Sequence, residues 1–387
     1  MIEGVRVASN SIIYSLSGDG AFYNQPNYII QTQSDLERKT PLPVSYVITT
    51  ENKITKLVKT IFSTVFFPLL AYQWLHAKFA QKVVLPASNP NQERNKQLHT
   101  QRTSIDLKSD LKYKRLAIQV DDCIIDAMII GKSSTLGEGR WILFSNGNFT
   151  AYEWTVGDQA DRVNRPIEHF HSNALIFNYP GVSASTGWPH RPSMAKVYRA
   201  LLTFLADQQQ GIAAKEIIGF GHSLGGGVQA EGRNSFVRDK KIAYVFIKSR
   251  TFSDLSTAAT RIIKDFLSKK TKWPDSRIDF ICRVGRALIK ILNWNIRSVN
   301  SSQNQQTPEI ILQTANVKNY EILTDSSKLI DDGTIAAEAS LAKALLDHPS
   351  RLHKDLVIIG IPDRHNDLLS DLPFIAQHVE MMLTAQK

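Results

Sequence analysis

From Arg115 onward the chain alternates short apolar runs with stretches of helical periodicity. Leu116-Ala117-Ile118-Gln119-Val120 and Cys123-Ile124-Ile125-Asp126-Ala127-Met128-Ile129-Ile130 are separated only by Asp121-Asp122, which predicts an antiparallel pair joined by a tight turn. Trp141 to Ser145 reads as a short buried strand ending at Asn146-Gly147-Asn148. Asn173 to Tyr179 reads as the next, ending at Pro180-Gly181. Between Ser193 and Ala206, Val197, Leu201, Leu202 and Leu205 share one helical stripe. Further strands are expected at Glu216–Phe220, Ile242–Ile247, Tyr320–Leu323 and Leu356–Gly360, with a last helix from about Pro373 to Leu383. Residues 256–303 read as amphipathic helix. Strands alternating with helices predict an α/β fold with a mostly parallel sheet flanked by helices.

Before about residue 110 the pattern changes. Residues 1–50 mix apolar pieces with Asn, Gln and Ser and give no clear element, and 86–110 reads as a linker. Residues 53–78 form the exception. Ile54, Leu57, Val58, Ile61, Phe62, Val65, Phe66 and Leu69 repeat at helical spacing, and Thr60 to Ala77 carries no charge. Pro68 and the polar residues within that run weigh against a membrane-spanning helix. They favour a segment lying in the interface, with Tyr72 and Trp74 at headgroup depth. A helix packed on the following domain would show the same stripe. The expected organisation is therefore an N-terminal extension, 1–110, and a principal domain, 111–387.

Composition narrows the classes. With 387 residues, 43% hydrophobic and 21% charged, the chain can bury a large core. The net charge is +10, and residues 51–115 hold 12 Lys and Arg against 4 Asp and Glu. Beside apolar residues, such a basic region suits an anionic membrane surface, and no zinc-finger, RNA-recognition or helix-turn-helix pattern argues for nucleic acid. The two cysteines, Cys123 and Cys282, sit in apolar runs and read as reduced core residues. No cleaved secretory signal is visible at the N-terminus, so a cytoplasmic or membrane-associated location is expected, with export by a signal-independent route open. Neither a metal site nor a cofactor is expected: the histidines are scattered, and Gly225-Gly226-Gly227 lacks the Gly-Lys-Ser/Thr of a phosphate loop.

The sharpest chemical signal is Gly221-His222-Ser223-Leu224-Gly225, preceded by a buried-strand run and followed by a sequence able to open a helix. Gly-x-Ser-x-Gly in that setting is a nucleophile elbow. The serine takes a strained backbone conformation, and glycine is needed two residues to either side.

With this element order the chain resembles an α/β-hydrolase over residues 113–387. Asn178-Tyr179-Pro180-Gly181-Val182-Ser183-Ala184-Ser185-Thr186-Gly187 resembles the loop after the fourth strand in hydrolases of the Bem46 type. More narrowly, the chain is similar to the chlamydial hydrolase-like family, which includes SidB-like proteins secreted by Legionella and also has a long N-terminal region. The resemblance implies a Ser-acid-His order with Ser223 as nucleophile. His365, just after the last strand, then falls where the base is placed. The preceding loop offers Asp325, Asp331 and Asp332. Asp332-Gly333-Thr334-Ile335 resembles the acid-bearing pattern, with a helix expected at Ala336–Leu346. Asp325 follows the strand directly and is the alternative, and either carboxylate could instead be a cap. The oxyanion donors implied are the backbone amides of Leu224 and Asn148, although Asn146-Gly147 stands where the family usually has His-Gly. His222 is expected to point away from the triad. Residues 256–306 occupy the place of a helical cap, and Phe266, Trp273, Phe280, Leu288, Leu292 and Trp294 are expected as core packing or as lining of an acyl pocket.

The function implied is serine hydrolysis of an ester or thioester, with a lipid or other acyl ester as partner. The alternative is a non-catalytic hydrolase-fold protein acting as a membrane-associated interaction module or secreted bacterial effector.

Overall fold

Asp121-Asp122 does turn a long hairpin, and the first half of the structure is built on it. The computed structural model describes residues 44–50, 75, 78–88, 97–98, 101, 111–132, 135, 139–157, 159–304, 307–349 and 353–387. Residues 53–78, expected at a membrane surface, lie outside this set apart from Leu75 and Lys78.

Strand β1 (Val44–Ile48) precedes β2 (Leu111–Val120) and β3 (Cys123–Lys132). β2 and β3 pair antiparallel along their whole length. Asp121 bends the chain at φ 53°, a conformation that Asp tolerates better than most residues. Its carboxylate accepts from the Thr50 amide at 2.7 Å, the Thr50 hydroxyl at 2.6 Å and Lys196 Nζ at 2.9 Å. β1 runs parallel to β2, a strand that the irregular composition before residue 50 did not signal. It is held by Tyr46, whose ring meets Phe204 at 4.7 Å and whose hydroxyl donates to Asp207 at 2.6 Å.

β4 (Arg140–Ser145), α1 (Tyr152–Val156), α2 (Asp161–His169), β5 (Asn173–Phe177) and α3 (Arg191–Ala206) follow. Among these strands the order is β1-β2-β3-β5-β4, with β5 antiparallel to β3 and parallel to β4. α3 starts two residues earlier than the pattern predicts, because Ser193 Oγ accepts from the His190 amide at 3.2 Å and closes the first turn.

The loop after β5 works through its polar residues. Glu153 is fully buried; it accepts from Asn178 Nδ2 at 2.9 Å and Ser183 Oγ at 2.6 Å. Ser185 Oγ donates to the Asn178 carbonyl at 3.0 Å and accepts from the Asp126 amide at 2.9 Å. Thr186 Oγ1 accepts from the Ile124 amide at 2.7 Å. Gly187, at φ 87°, has no room for a Cβ against Cys123 Sγ. The hydroxyls and glycines of this motif thus satisfy buried groups and permit close packing. Cys123 itself is half-buried rather than in the core, whereas Cys282 is buried, and both are free thiols.

The second group of elements begins with β6 (Glu216–His222) and α4 (Leu224–Arg233), then β7 (Ala243–Ser249). After these come α5 (Leu255–Lys270), α6 (Asp275–Ile291), α7 (Ser298–Asn304) and β8 (Glu309–Thr314). β9 (Glu321–Ile322), α8 (Leu341–Leu346), β10 (Leu356–Ile361) and α9 (Leu372–Thr384) complete the chain. Their order is β6-β7-β8-β10-β9; β8 runs parallel to β7 and β10, and β9 antiparallel to β10. The strand β8 escaped the sequence pattern because Glu309 and Gln313 flank only three apolar residues, yet all six side chains are buried.

Glu309 is tolerated there because Lys248 of β7 pairs with it, Ser302 Oγ donates to it at 2.9 Å, and Arg233 approaches at 3.5 Å. The Arg233 guanidinium also lies 3.9 Å above the Phe246 ring. Burial pushes the Lys248 ammonium down to about 8, against the opposing pull of Glu309. The helix expected at Ala336–Leu346 is split. A 3-10 turn, Ala337–Ala339, ends at Ser340, whose Oγ accepts from the Lys343 amide at 3.2 Å and starts α8 afresh.

By packing, the described residues divide into two compact units. One draws on those described within 1–144, 148–217 and 239–242, the other on those within 145–147, 218–238 and 243–387. A mostly parallel sheet flanked by helices, with a strand–turn–helix unit at residues 216–233, is the α/β-hydrolase fold.

Candidate active site

Ser223 stands between β6 and α4 with φ 52° and ψ −119°, a backbone geometry that a serine occupies only when its surroundings impose it. The surroundings here are specific. Its amide donates to the Ser249 carbonyl at 3.0 Å, while its own carbonyl accepts from Thr251 Oγ1 at 2.7 Å and from the Gly226 amide at 3.1 Å. A Cβ on Gly221 would come within 2.7 Å of the Gly226 backbone, and one on Gly225 would overlap the Ser145 carbonyl. Both glycines of the motif are therefore required by backbone proximity. Gly147 lies beside the serine, for a Cβ placed there would sit 3.8 Å from Ser223 Cβ and 3.7 Å from His222 Cδ2.

Leu224 opens α4, where the leading amides of a helix have no carbonyl of their own helix to bond. Asn148 occupies the turn one residue beyond Gly147, and its carbonyl accepts from the Ala87 amide at 3.1 Å.

The other two expected residues are brought together. His365 Nδ1 is 2.8 Å from Asp332 Oδ2, and both side chains are buried. The backbone adds a second link, the His365 amide donating to the Asp332 carbonyl at 2.9 Å. Asp332 is itself fixed by a local turn: Oδ1 accepts from the Thr334 amide at 2.8 Å and the Ile335 amide at 2.6 Å. Gly333 permits that turn at φ 93°. The other two candidate carboxylates make different contacts. Asp331 Oδ1 accepts from the Ala337 amide at 2.7 Å, and Asp325, exposed, accepts from the Ser327 amide at 2.8 Å.

Two features depart from the sequence expectation. His222 does not turn away: its ring lies 4.8 Å from that of His365, tilted by 48°. His222 is the last residue of β6, and the chain turns at positive φ on the very next residue, which leaves its ring on the side of His365. The second is Arg250, at φ 48° and buried, just after β7. Its Nε donates to Ser249 Oγ at 3.1 Å, and Nη1 donates to the carbonyls of Arg364 and of Asp367, the latter at 3.0 Å. One guanidinium thus spans from the strand beside the elbow to the loop that presents His365. The available signal was the polar run Lys248-Ser249-Arg250-Thr251, which ends β7 and continues past it directly after an apolar stretch; all four residues are buried.

The segment expected as a cap also differs from its pattern. Leu292 and Trp294 are core residues, but Phe266, Trp273, Phe280 and Leu288 are exposed. Among the described residues no group of three or more His, Cys, Asp or Glu is arranged to hold a metal, and no helix is long and apolar enough to cross a membrane.

No curated protein matches the sequence. Among solved structures, the chain is similar to the esterase Pf2001 of Pyrococcus furiosus, with 14% identity over 70% of this chain and 91% of that one at a TM-score of 0.48. It is also similar to an alpha-beta hydrolase of Vibrio vulnificus, with 14% identity over 71% and 81% of the two chains at 0.46. Acetyl xylan esterase 1 of a Thermoanaerobacterium species is similar at 12% identity over 79% and 98%, with a TM-score of 0.38. The model of the family described as Chlamydia CHLPS protein (DUF818) matches residues 28–382, nearly the whole of this sequence, and the chain belongs to that family.

Proposed function

We propose that the protein is a serine hydrolase that cleaves an ester or thioester through an acyl-serine intermediate on Ser223. The observation that carries this reading is the buried Asp332–His365 pair. Its imidazole packs against the ring of His222, the residue bonded directly to the strained Ser223. An imidazole with Nδ1 held by a carboxylate keeps Nε2 as the acceptor, which is the tautomer a general base needs.

In the reaction, Ser223 Oγ attacks the carbonyl carbon as His365 takes the hydroxyl proton. The carbonyl oxygen becomes an oxyanion that takes a hydrogen bond from the Leu224 amide at the head of α4. The intermediate collapses by breaking the bond to the alkoxide or thiolate, which leaves with the proton from His365. Water then attacks the acyl-serine with His365 again as base, releasing the acid and restoring the serine. Asp332 holds the imidazole and stabilises its charged form throughout.

The organisation belongs to the same proposal: an extension at 1–110, a hydrolase domain at 111–387 and a helical insertion at 256–306. So does the narrower likeness to Bem46-type and SidB-like hydrolases. A lipid or other acyl ester is the favoured substrate, since residues 53–78 suit an anionic membrane surface, inside the producing cell or after export. The rival reading, a non-catalytic interaction module, drew on the Asn146-Gly147 substitution. Gly147 nonetheless lies against Ser223, and a backbone amide serves an oxyanion whatever side chain precedes it.

A fluorophosphonate probe tests the proposal without knowledge of the substrate. The wild-type chain should be labelled and Ser223→Ala should not. Equal labelling of the two would place the nucleophile elsewhere.

A further inference from the structure

The helical insertion carries an apolar face on each side, and only one of them is buried. α5 and α6 form an antiparallel hairpin: Lys264 Nζ bonds Asp279 Oδ1 at 2.8 Å, Cys282 Sγ meets the Thr260 carbonyl at 3.6 Å, and Gly285 lies beside Ile263. On α6 the residues Ile278, Cys282 and Ile289 share one stripe and are buried. A second stripe, Phe280, Val284, Leu288 and Ile291, repeats at the same helical spacing from a start two residues later, about 200° around the axis. It faces water, with Phe280 61% and Ile291 70% exposed. α5 adds Ile262 and, one turn on, Phe266 at 60%, and the connection adds Trp273, whose ring lies 4.2 Å beneath the Arg277 guanidinium. Single exposed apolar residues need no explanation, but seven of the fifteen large ones among the described residues fall in this hairpin.

The hairpin is also strongly basic. Residues 255–291 hold nine Lys and Arg against three Asp, a net +6 in a chain of net +10. Arg283, Arg286 and Lys290 run along the flank of α6 beside the exposed stripe, and Lys269 and Lys270 follow Phe266 at the end of α5.

We propose that this hairpin is a membrane-docking surface for anionic lipid. Phe266, Phe280 and Ile291 enter the interface, and the basic flank meets the headgroups. The two properties together select the occupant. An acidic protein or a nucleic acid would pair with the cations while leaving the aromatic and aliphatic side chains little to bury against. A second copy of the chain would set +6 against +6. Residues 53–78 carry four lysines and no acidic residue, so they too are repelled from this face. An anionic bilayer takes up both the charge and the apolar surface. This surface is separate from the Ser223 chemistry and stands whether or not the chain is a hydrolase.

Flotation of the full chain with vesicles tests it directly. The protein should float with vesicles of equal parts phosphatidylglycerol and phosphatidylcholine, and not with phosphatidylcholine alone. Two variants address the hairpin: Phe266→Ser/Phe280→Ser/Ile291→Ser, and Arg283→Glu/Arg286→Glu. All five side chains are exposed, so both variants should keep the parent circular dichroism and melting curve. Each should lower the partition coefficient, the arginine pair by at least roughly thirtyfold, from about fivefold per basic residue at such a surface. Equal flotation with neutral vesicles, or flotation of both variants like the parent, overturns the proposal. So does binding lost only when residues 53–78 are deleted, or a parent that ignores vesicles yet binds RNA or an acidic peptide.

Discussion

Replacing Asp332 by Asn separates orientation of the imidazole from integrity of the loop. Asp332 Oδ1 accepts from the amides of Thr334 and Ile335, and Asn can keep both bonds through its own carbonyl oxygen. What changes is the atom facing His365. An NH2 group replaces Oδ2 at 2.8 Å from Nδ1, so Nδ1 must become the acceptor and the ring proton moves to Nε2. A histidine in that tautomer cannot take the serine proton, and loss of the carboxylate also removes the charge that stabilises the imidazolium. The expected fall in kcat is about 10³- to 10⁴-fold, with stability nearly unchanged because both backbone bonds survive. Asp325→Asn is the control. Its side chain is exposed and bonds Ser327, two residues on in the same turn, so activity and melting should match the parent. Turnover of a nitrophenyl ester, or the rate of fluorophosphonate labelling, measures both variants beside a thermal melt. If Asp332→Asn keeps more than about a tenth of the parent rate, or if both variants lose rate equally and mildly, Asp332 is not the orienting acid.

Three other substitutions bear on the supports of the site. Gly225→Ala drives a methyl group into the Ser145 carbonyl and should cost about 1–3 kcal/mol in urea unfolding, with labelling lost; a stable, fully labelled variant would contradict the tight elbow. Arg250→Lys has too few fixed donors to bond Ser249 Oγ and both loop carbonyls, so kcat should fall about tenfold or more with KM held and with partial retention relative to Arg250→Met. An unchanged kcat in both would mean the loop holds His365 without Arg250. Glu309→Gln leaves two buried cations around a neutral amide and should destabilise the fold by about 3–5 kcal/mol. Its pH dependence has a definite sign. Lys248 titrates near 8 when folded against 10.5 for the unfolded chain, so between those values the unfolded state binds more protons and stability rises with pH. Without Glu309 the folded value drops further, and the rise should begin below pH 8. Stability that falls with pH in that window would refute the account of the pair.

The elbow was legible because its demands are local. Ser223 turns the chain at positive φ, the backbone crowding at Gly221 and Gly225 is met by glycine at fixed spacing, and such spacing survives in a one-dimensional string. The choice among Asp325, Asp331 and Asp332 was of another kind. All three sit in one polar loop of suitable position, and what distinguishes them is burial and the approach of a histidine 33 residues away. Arg250 and Glu309 show why polar residues mislead. Each is a charge placed in the interior by partners from distant elements, Arg364 and Asp367 for one, Lys248 and Ser302 for the other. A strand pattern that treats charge as solvent-facing must end β7 too soon and miss β8 altogether.

The α5–α6 hairpin exposes a different weakness of sequence patterns. Helical periodicity on α6 is satisfied twice, by Ile278, Cys282 and Ile289 and again by Phe280, Val284, Leu288 and Ile291, and nothing in the spacing tells which stripe is covered. Charge could have broken the tie. A helix buried on both sides has no need of a cationic flank, whereas Arg283, Arg286 and Lys290 beside an apolar stripe suit an interface. That signal was lost in the sum over the chain. Residues 51–115 account for eight of the ten net positive charges, and the +6 of the hairpin is offset by a net −4 elsewhere. An electrostatic surface belongs to a folded element, because screening confines each charge to neighbours within about 10 Å. Once α5 and α6 are known to pair, the charges to be added are those of the hairpin, and they fall beside the apolar residues that remain in water.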